Sequence, residues 1–428
     1  MVLIFSIFPL LEKYGVPPKL VSVIRCLHKD FKLKFTLGKE TRYIDYTVGV
    51  RQGDNMAPTL FLFLMQAMAE SLEKKRQREN YQLKILEYRY HRAASNTGGR
   101  MRLQPNPQKT KGTVFKLLQA LFVDDQFLLA DSREELTEAA AELRLHMKRF
   151  GLLMHVGEKQ ADGSWTESKT EAMFFPALNS TEPQTIPAPA VFPDGQHRVE
   201  YTDQFKHLGS LITPPLTDEI EIKKRLRTAK NQMGALTTFF RTPADLRIKR
   251  QIYQAIPMNT ALYGCESWTL SDKLERDLSS FHHGAMRKLL GLTMHHVRHL
   301  RIRNEHVRNK LSLPDLTETM HYRQFRFLGK IARLPEDNLQ RRFLNAWIAT
   351  PRLVGRPRNS LRHVHIETLQ HILGPAVVSK QGHLTDWLPL ASSVTEWNAL
   401  GSRWLSDRQR EAYHTHGDHP VLGAPLED

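Results

Sequence analysis

The sequence predicts an α+β fold, with a mixed first half whose strands pair antiparallel and a second half built of helices. Three observations lead there. In FKLKFTLG and TRYIDYTVGV apolar and polar residues alternate with the two-residue period of strands. From Asp218 onward apolar residues recur at steps of four and three (Ile222, Leu226, Ala229, Met233, Leu236, Phe240), the spacing of one helix face. Hydrophobic residues make up 41% and charged residues 25% of 428 positions, enough for more than one packed core.

Taken in order, residues 3–14 read as a helix stopped by Gly15, Pro17 and Pro18. A second helix is expected from Lys19 to Lys29, before the strand pair. RQGDNMAP is a turn, and it opens an apolar helix, TLFLFLMQAMAESLEKKRQREN, that turns charged near Glu70. Residues 93–112 carry turn formers and basic residues and read as an exposed insertion. KLLQALFVDD and QFLLA read as a hairpin of two buried strands. A helix follows to about Phe150, capped by Asp131 or Ser132 with Glu134 or Glu135 three residues on. Five prolines in 176–200 mark a loop or linker. Leu274, Leu278, Phe281, Ala285 and Leu289 form a second helical stripe. This divides the chain into a mixed 1–214, a helical 215–345, and a C-terminal tail region of unknown function, 346–428.

Sixty-one Lys and Arg against 45 Asp and Glu leave a net charge of +16, spread over many segments. Such a balance points to a polyanionic partner, nucleic acid first, with a merely basic soluble protein as the plain alternative. Cys26 and Cys265 are the only cysteines, which excludes a disulfide framework and a cysteine zinc site. MVLIFSIFPLL is apolar but short and lacks a basic flank, so it reads as a buried helix start. No membrane partner and an intracellular location are expected. Nothing in the residues sets an oligomeric state.

ALFVDDQFLLA places two adjacent carboxylates, Asp124 and Asp125, between apolar runs. Anionic oxygens beside apolar strands are costly unless a cation compensates. Mg²⁺ prefers oxygen ligands, and two such ions can stabilise the attacking and leaving oxygens of a phosphoryl displacement. A polar hairpin turn is the simpler account of two aspartates taken alone. HHVRHLRIRNEHVRNK groups His295, His296 and His299, with His306 beyond, and reads as a basic or solvated face rather than a zinc site. Trp347, Trp387, Trp397 and Trp404 read as helix-packing residues.

The surroundings of the two aspartates resemble a known family. GVRQGDNMAP with its apolar helix, and LFVDDQFLLADS after it, are similar to the catalytic hairpin region of reverse transcriptases from non-long-terminal-repeat retrotransposons. SKTEAMFFP resembles the family's Lys-Thr segment, and FKHLGSLIT resembles the element that grips the primer. LYGCESWTL, FLGKIARLPEDN and VGRPRNSL are similar to the helical region beyond the polymerase. These matches keep the family's order over about Leu11 to Leu369.

The resemblance implies a partial polymerase palm followed by a helical thumb. It implies RNA-directed DNA synthesis on an RNA template and a DNA primer, with Mg²⁺ held by Asp124 and Asp125. Lys169 would assist the leaving pyrophosphate. Arg51, Gln52, Gly53 and Phe122 would meet nucleotide or template, and Phe205, Leu208 and Gly209 would grip the primer. A nuclear site is what the family's copying into chromosomal DNA implies. One element of the family pattern has no counterpart: an earlier palm aspartate that bridges the metals, together with the fingers before it. Asp30, Asp45 and Asp54 do not match its position. The expectation is therefore an N-terminally truncated reverse transcriptase without an endonuclease domain, incompetent alone. The alternative is a non-catalytic nucleic-acid-binding protein derived from the element, and a decayed reading frame with no folded product is a third.

Overall fold

The computed structural model describes residues 7–29, 32–45, 53–79, 86–90, 113–117, 119–123, 125–176, 186–214, 217–344, 346–347, 361–378, 384–417 and 419–426. The architecture is α+β, helix-rich with small and mostly antiparallel sheets. The chain forms two compact units. The first comprises 1–88, 115–174 and 182–203, and the second comprises 89–114, 175–181 and 204–428.

In the first unit, helices Ile7–Lys13, Pro18–Leu27 and Ala57–Arg78 close around Ile7, Phe8, Leu11, Val21, Ile24, Leu60 and Leu64. Pro18 starts its helix where a missing N–H costs nothing. Strands Lys32–Leu37 and Glu40–Asp45 pair antiparallel as the alternation predicts. Asp54 closes the turn before the long helix, its Oδ1 accepting from Met56 N at 2.9 Å. Helix Arg133–Arg149 is capped by Ser132, which accepts from Glu135 N at 3.2 Å. It is joined to the 57–78 helix by Glu142, whose two oxygens lie 3.0 Å from Lys75 Nζ and 2.9 Å from Arg76 Nε. The other face of the 133–149 helix meets a four-stranded sheet over Ala140, Val156, Ala172, Phe192 and Val199.

That sheet departs from the loop expected over 176–200. Strands Ala190–Val191 and His197–Tyr201 lie inside it, and the second is central, pairing with Gly157–Glu158, Glu171–Ala172 and Ala190–Val191. Proline density hid them, because Ala190, Phe192 and Val199 are spaced among turn residues and become core only once the strands meet. Residues 177–185 and the basic segment 93–112 lie outside the described residues.

In the second unit, helices Glu219–Ala235 and Asp272–Leu289 carry the two predicted stripes into one core, with Ile222, Leu226, Ala229, Met233, Leu274, Leu278 and Leu289 all buried. A second core joins helix Leu316–Ala332 to Val394–His416 around Phe325, Leu328, Trp387 and Trp397. Phe325 and Trp397 stack at 3.9 Å, and Trp397 Nε1 donates to Phe325 O at 2.9 Å. Trp387 and Trp397 are thus packing residues, as expected, while Trp404 is half-buried. Trp347 pairs with Arg89 through its backbone. Among the described residues no helix is long and apolar enough to cross a membrane.

Candidate nucleic-acid interface

In the first unit, strands Gln119–Phe122 and Asp125–Leu128 form the aspartate-bearing hairpin, with Phe122 opposite Asp125. Val123 begins its turn at φ +58°, a left-handed conformation that a β-branched residue adopts only under strain. The strands were expected to be buried, and they are not. Phe122 is 57% exposed, and Leu121, Val123 and Phe127 are exposed beside it. A two-stranded ribbon has two faces, and its apolar content alone does not bury them both.

Asp125 is exposed on this hairpin, and Asp124 lies outside the described residues, as do Arg51 and Gln52. Gly53 occupies the left-handed turn that leads to Asp54, at φ +86°. Lys169 sits in an exposed bend with its amide donating to His155 Nδ1 at 3.2 Å. Among the described residues no hydrogen bond or ion pair links Lys169 to Asp125. Asp45 makes an exposed ion pair with Lys32 at 3.4 Å, a surface role. Among the described residues no three His, Cys, Asp or Glu side chains gather to hold a metal ion. Asp125 by itself falls short of a two-magnesium ligand set, so these residues do not fit that centre alone.

The second unit builds a more complete arrangement. Strands Phe205–His207 and Ser210–Ile212 pair with His207 opposite Ser210, which leaves Leu208 and Gly209 as a two-residue turn. Both have positive φ, +48° and +86°, the mirror-image turn that matches the strand twist. Glycine takes this conformation readily, whereas Leu208 is strained in it. Two residues from other elements hold the turn. Tyr263 Oη donates to Leu208 O at 2.8 Å, and the Arg225 guanidinium donates to Gly209 O.

Arg225 is itself fixed. Its Nε donates to Glu221 Oε1 at 2.6 Å, and its guanidinium lies 4.4 Å from the Tyr263 ring centre. Glu221 is buried, and its Oε2 accepts from Leu211 N at 2.9 Å, so one carboxylate ties helix to hairpin. A Cβ at Gly209 would rest 3.3 Å from Tyr263 Oη, and one at Gly264 would rest 3.3 Å from Ser210 Oγ. The segments 205–213 and 262–270, both singled out in the sequence, therefore meet. Phe205 is half-buried and stacks on His207 at 6.2 Å, and Leu208 is exposed at the tip.

Sequence reasoning placed Leu208 and Gly209 but missed Arg225, Tyr263 and Glu221 as their supports. Tyr263 lay within a quoted motif and Arg225 lay off the helical stripe. These were signals of exposure, not of partnership. On the same helix Arg227 and Lys230 are exposed, while Lys223 pairs with Glu219 at 2.6 Å. His295, His296 and His299 are exposed on helix Met294–His299, with His295 and His299 stacked at 5.8 Å.

No protein-family model matches the chain. The chain is similar to a transposon-derived protein of Caenorhabditis elegans, with 20% identity over 284 residues that cover 65% of this chain and 93% of that relative.

Proposed function

We propose that the chain is a nucleic-acid-binding protein of transposon origin, built on a reverse-transcriptase-like scaffold, with the 205–212 hairpin as its strand grip. The observation that carries this reading is the pinned Leu208–Gly209 turn. A strained backbone is held by a tyrosine and an arginine, beside a helix that presents Arg227 and Lys230. The net charge of +16 and the similarity to a transposon-derived protein support it. An RNA template and a DNA primer are the partners it names. The resemblance would have Asp124 and Asp125 serve RNA-directed DNA synthesis with Mg²⁺ and Lys169 steady the departing pyrophosphate, but two adjacent carboxylates are too few to hold two ions, so the reading gives this chain binding without that reaction.

A labelled RNA–DNA primer–template tests this. Binding is expected to weaken steeply with salt and to be indifferent to Mg²⁺. Templated extension of the primer that disappears in Asp124→Ala would instead make the chain a working polymerase. Failure to bind at low salt would remove the proposal altogether.

A further inference from the structure

Beside the pinned turn lies a cavity of about 470 Å³, within the size range of small-ligand sites, about 300–1,000 Å³. Its walls include Leu208, Ser210, Asn259, Tyr263, Glu266 and Arg323. Tyr263 leaves 47% of its surface exposed, yet its hydroxyl is tied to Leu208 O and Arg225 is held against its ring. A ring fixed in this way loses little freedom when something stacks on it. Around it stand a carboxylate and a hydroxyl, from Glu266 and Ser210, which can accept from and donate to a polar edge, while the Asn259 amide is engaged with Ala255 O and Arg323. Arg323 adds a cation, oriented by bonds to Asn259 Oδ1 and to Leu262 O.

A flat apolar surface next to hydrogen-bonding groups of both kinds is what one heteroaromatic ring with a polar rim requires. A phosphate alone would not need the aromatic wall, and an aliphatic ligand would leave the carboxylate and hydroxyl unanswered. We infer that this cavity receives a single unpaired nucleobase, stacked on Tyr263 with its edge toward Ser210 and Glu266. The inference rests on the proposed nucleic-acid binding and adds the part of the strand that is recognised.

Two DNA hairpins test it, identical except that one carries a single unpaired 2-aminopurine at its 3′ end. The overhanging hairpin is expected to bind about tenfold more tightly than the blunt one, with quenched 2-aminopurine fluorescence, as stacking of one base on an aromatic ring would give. The ratio of the two affinities is the readout, whatever a substitution does to the blunt hairpin. Tyr263→Phe, which keeps the ring, should preserve the ratio, and Tyr263→Leu should bring it to one. Equal binding of the two hairpins by the unaltered protein would overturn the base pocket while leaving nucleic-acid binding in place. A ratio that survives Tyr263→Leu would overturn it too. Absence of binding to either hairpin would remove both readings together.

Discussion

Glu221 and Arg225, one turn apart on the 219–235 helix, meet at 2.6 Å between Oε1 and Nε, with the glutamate only 3% exposed. The same carboxylate accepts the Leu211 amide, so it satisfies two donors that would otherwise lack a partner. Arg225→Ala would leave an ionised carboxylate buried without its cation, which costs about 3–5 kcal/mol when a buried pair is broken. Urea unfolding of the full chain should show a loss of that order. A loss below about 1 kcal/mol would mean water replaces the guanidinium.

A second prediction concerns the arginine and lysine that the same helix leaves exposed. Arg227 and Lys230 each carry a charge toward solvent. If each neutralises one phosphate, the double variant Arg227→Ala/Lys230→Ala lowers the slope of log K against log salt by about two. Titrations at several salt concentrations give the slope directly. An unchanged slope would place the phosphate contacts elsewhere.

A third follows from buried histidines. His282 is fully buried, with Nδ1 2.7 Å from the Tyr253 hydroxyl and Nε2 3.0 Å from Pro314 O. That pattern is satisfied by the neutral ring, with Nε2 donating to the carbonyl and Nδ1 accepting from the tyrosine. Burial pushes the His282 pKa down, and burial beside His371 takes that of His321 from 6.5 down to about 4. Between about 6.5 and about 4 the unfolded chain therefore holds protons that the folded chain refuses. Stability is complete above that window and falls as pH drops through it, by up to about 1.4 kcal/mol per pH unit for each such histidine. Urea midpoints at pH 7 and pH 5 measure the slope, and His321→Gln should reduce it.

The fourth prediction lies in the core around Trp397. Gly329 packs against the indole so closely that a Cβ there would overlap it. Gly329→Ala should cost about 1–3 kcal/mol or more by overpacking, although alanine normally favours a helix interior. Trp397→Ala should cost about 3–5 kcal/mol and remove the indole's bond to the Phe325 carbonyl. Tryptophan fluorescence during denaturation follows both. A stabilised Gly329→Ala would show that the helices can slide apart at this contact.

Several of these features were legible before any coordinates. Ser132 was one of two proposed caps, and it accepts the amide of Glu135 three residues on, because a cap and its helix are neighbours along the chain. The stripes of Ile222 to Met233 and Leu274 to Leu289 became core for a similar reason, since period alone decides which face is apolar. The Leu208–Gly209 pair was singled out by resemblance, and the structure supplies the positive φ values that make glycine fit there. Other expectations did not carry over. Phe122 and Leu121 read as buried from composition, but burial of a strand depends on what packs across it. Ala190 and Val199 read as loop because the prolines around them dominate any local window.

Alone, the sequence determined the fold class, the helix starts and faces, and the basic balance. All of these depend on residues within a few positions of one another, where periodicity and turn preference act directly. Tertiary structure decided that Tyr263 reaches a carbonyl 55 residues earlier in the chain, and that Arg225 is the arginine of its helix that closes on Gly209. Many tyrosines and arginines are equivalent as letters. Packing distinguishes them, because it buries Glu221 where Arg225 Nε and Leu211 N both reach its carboxylate.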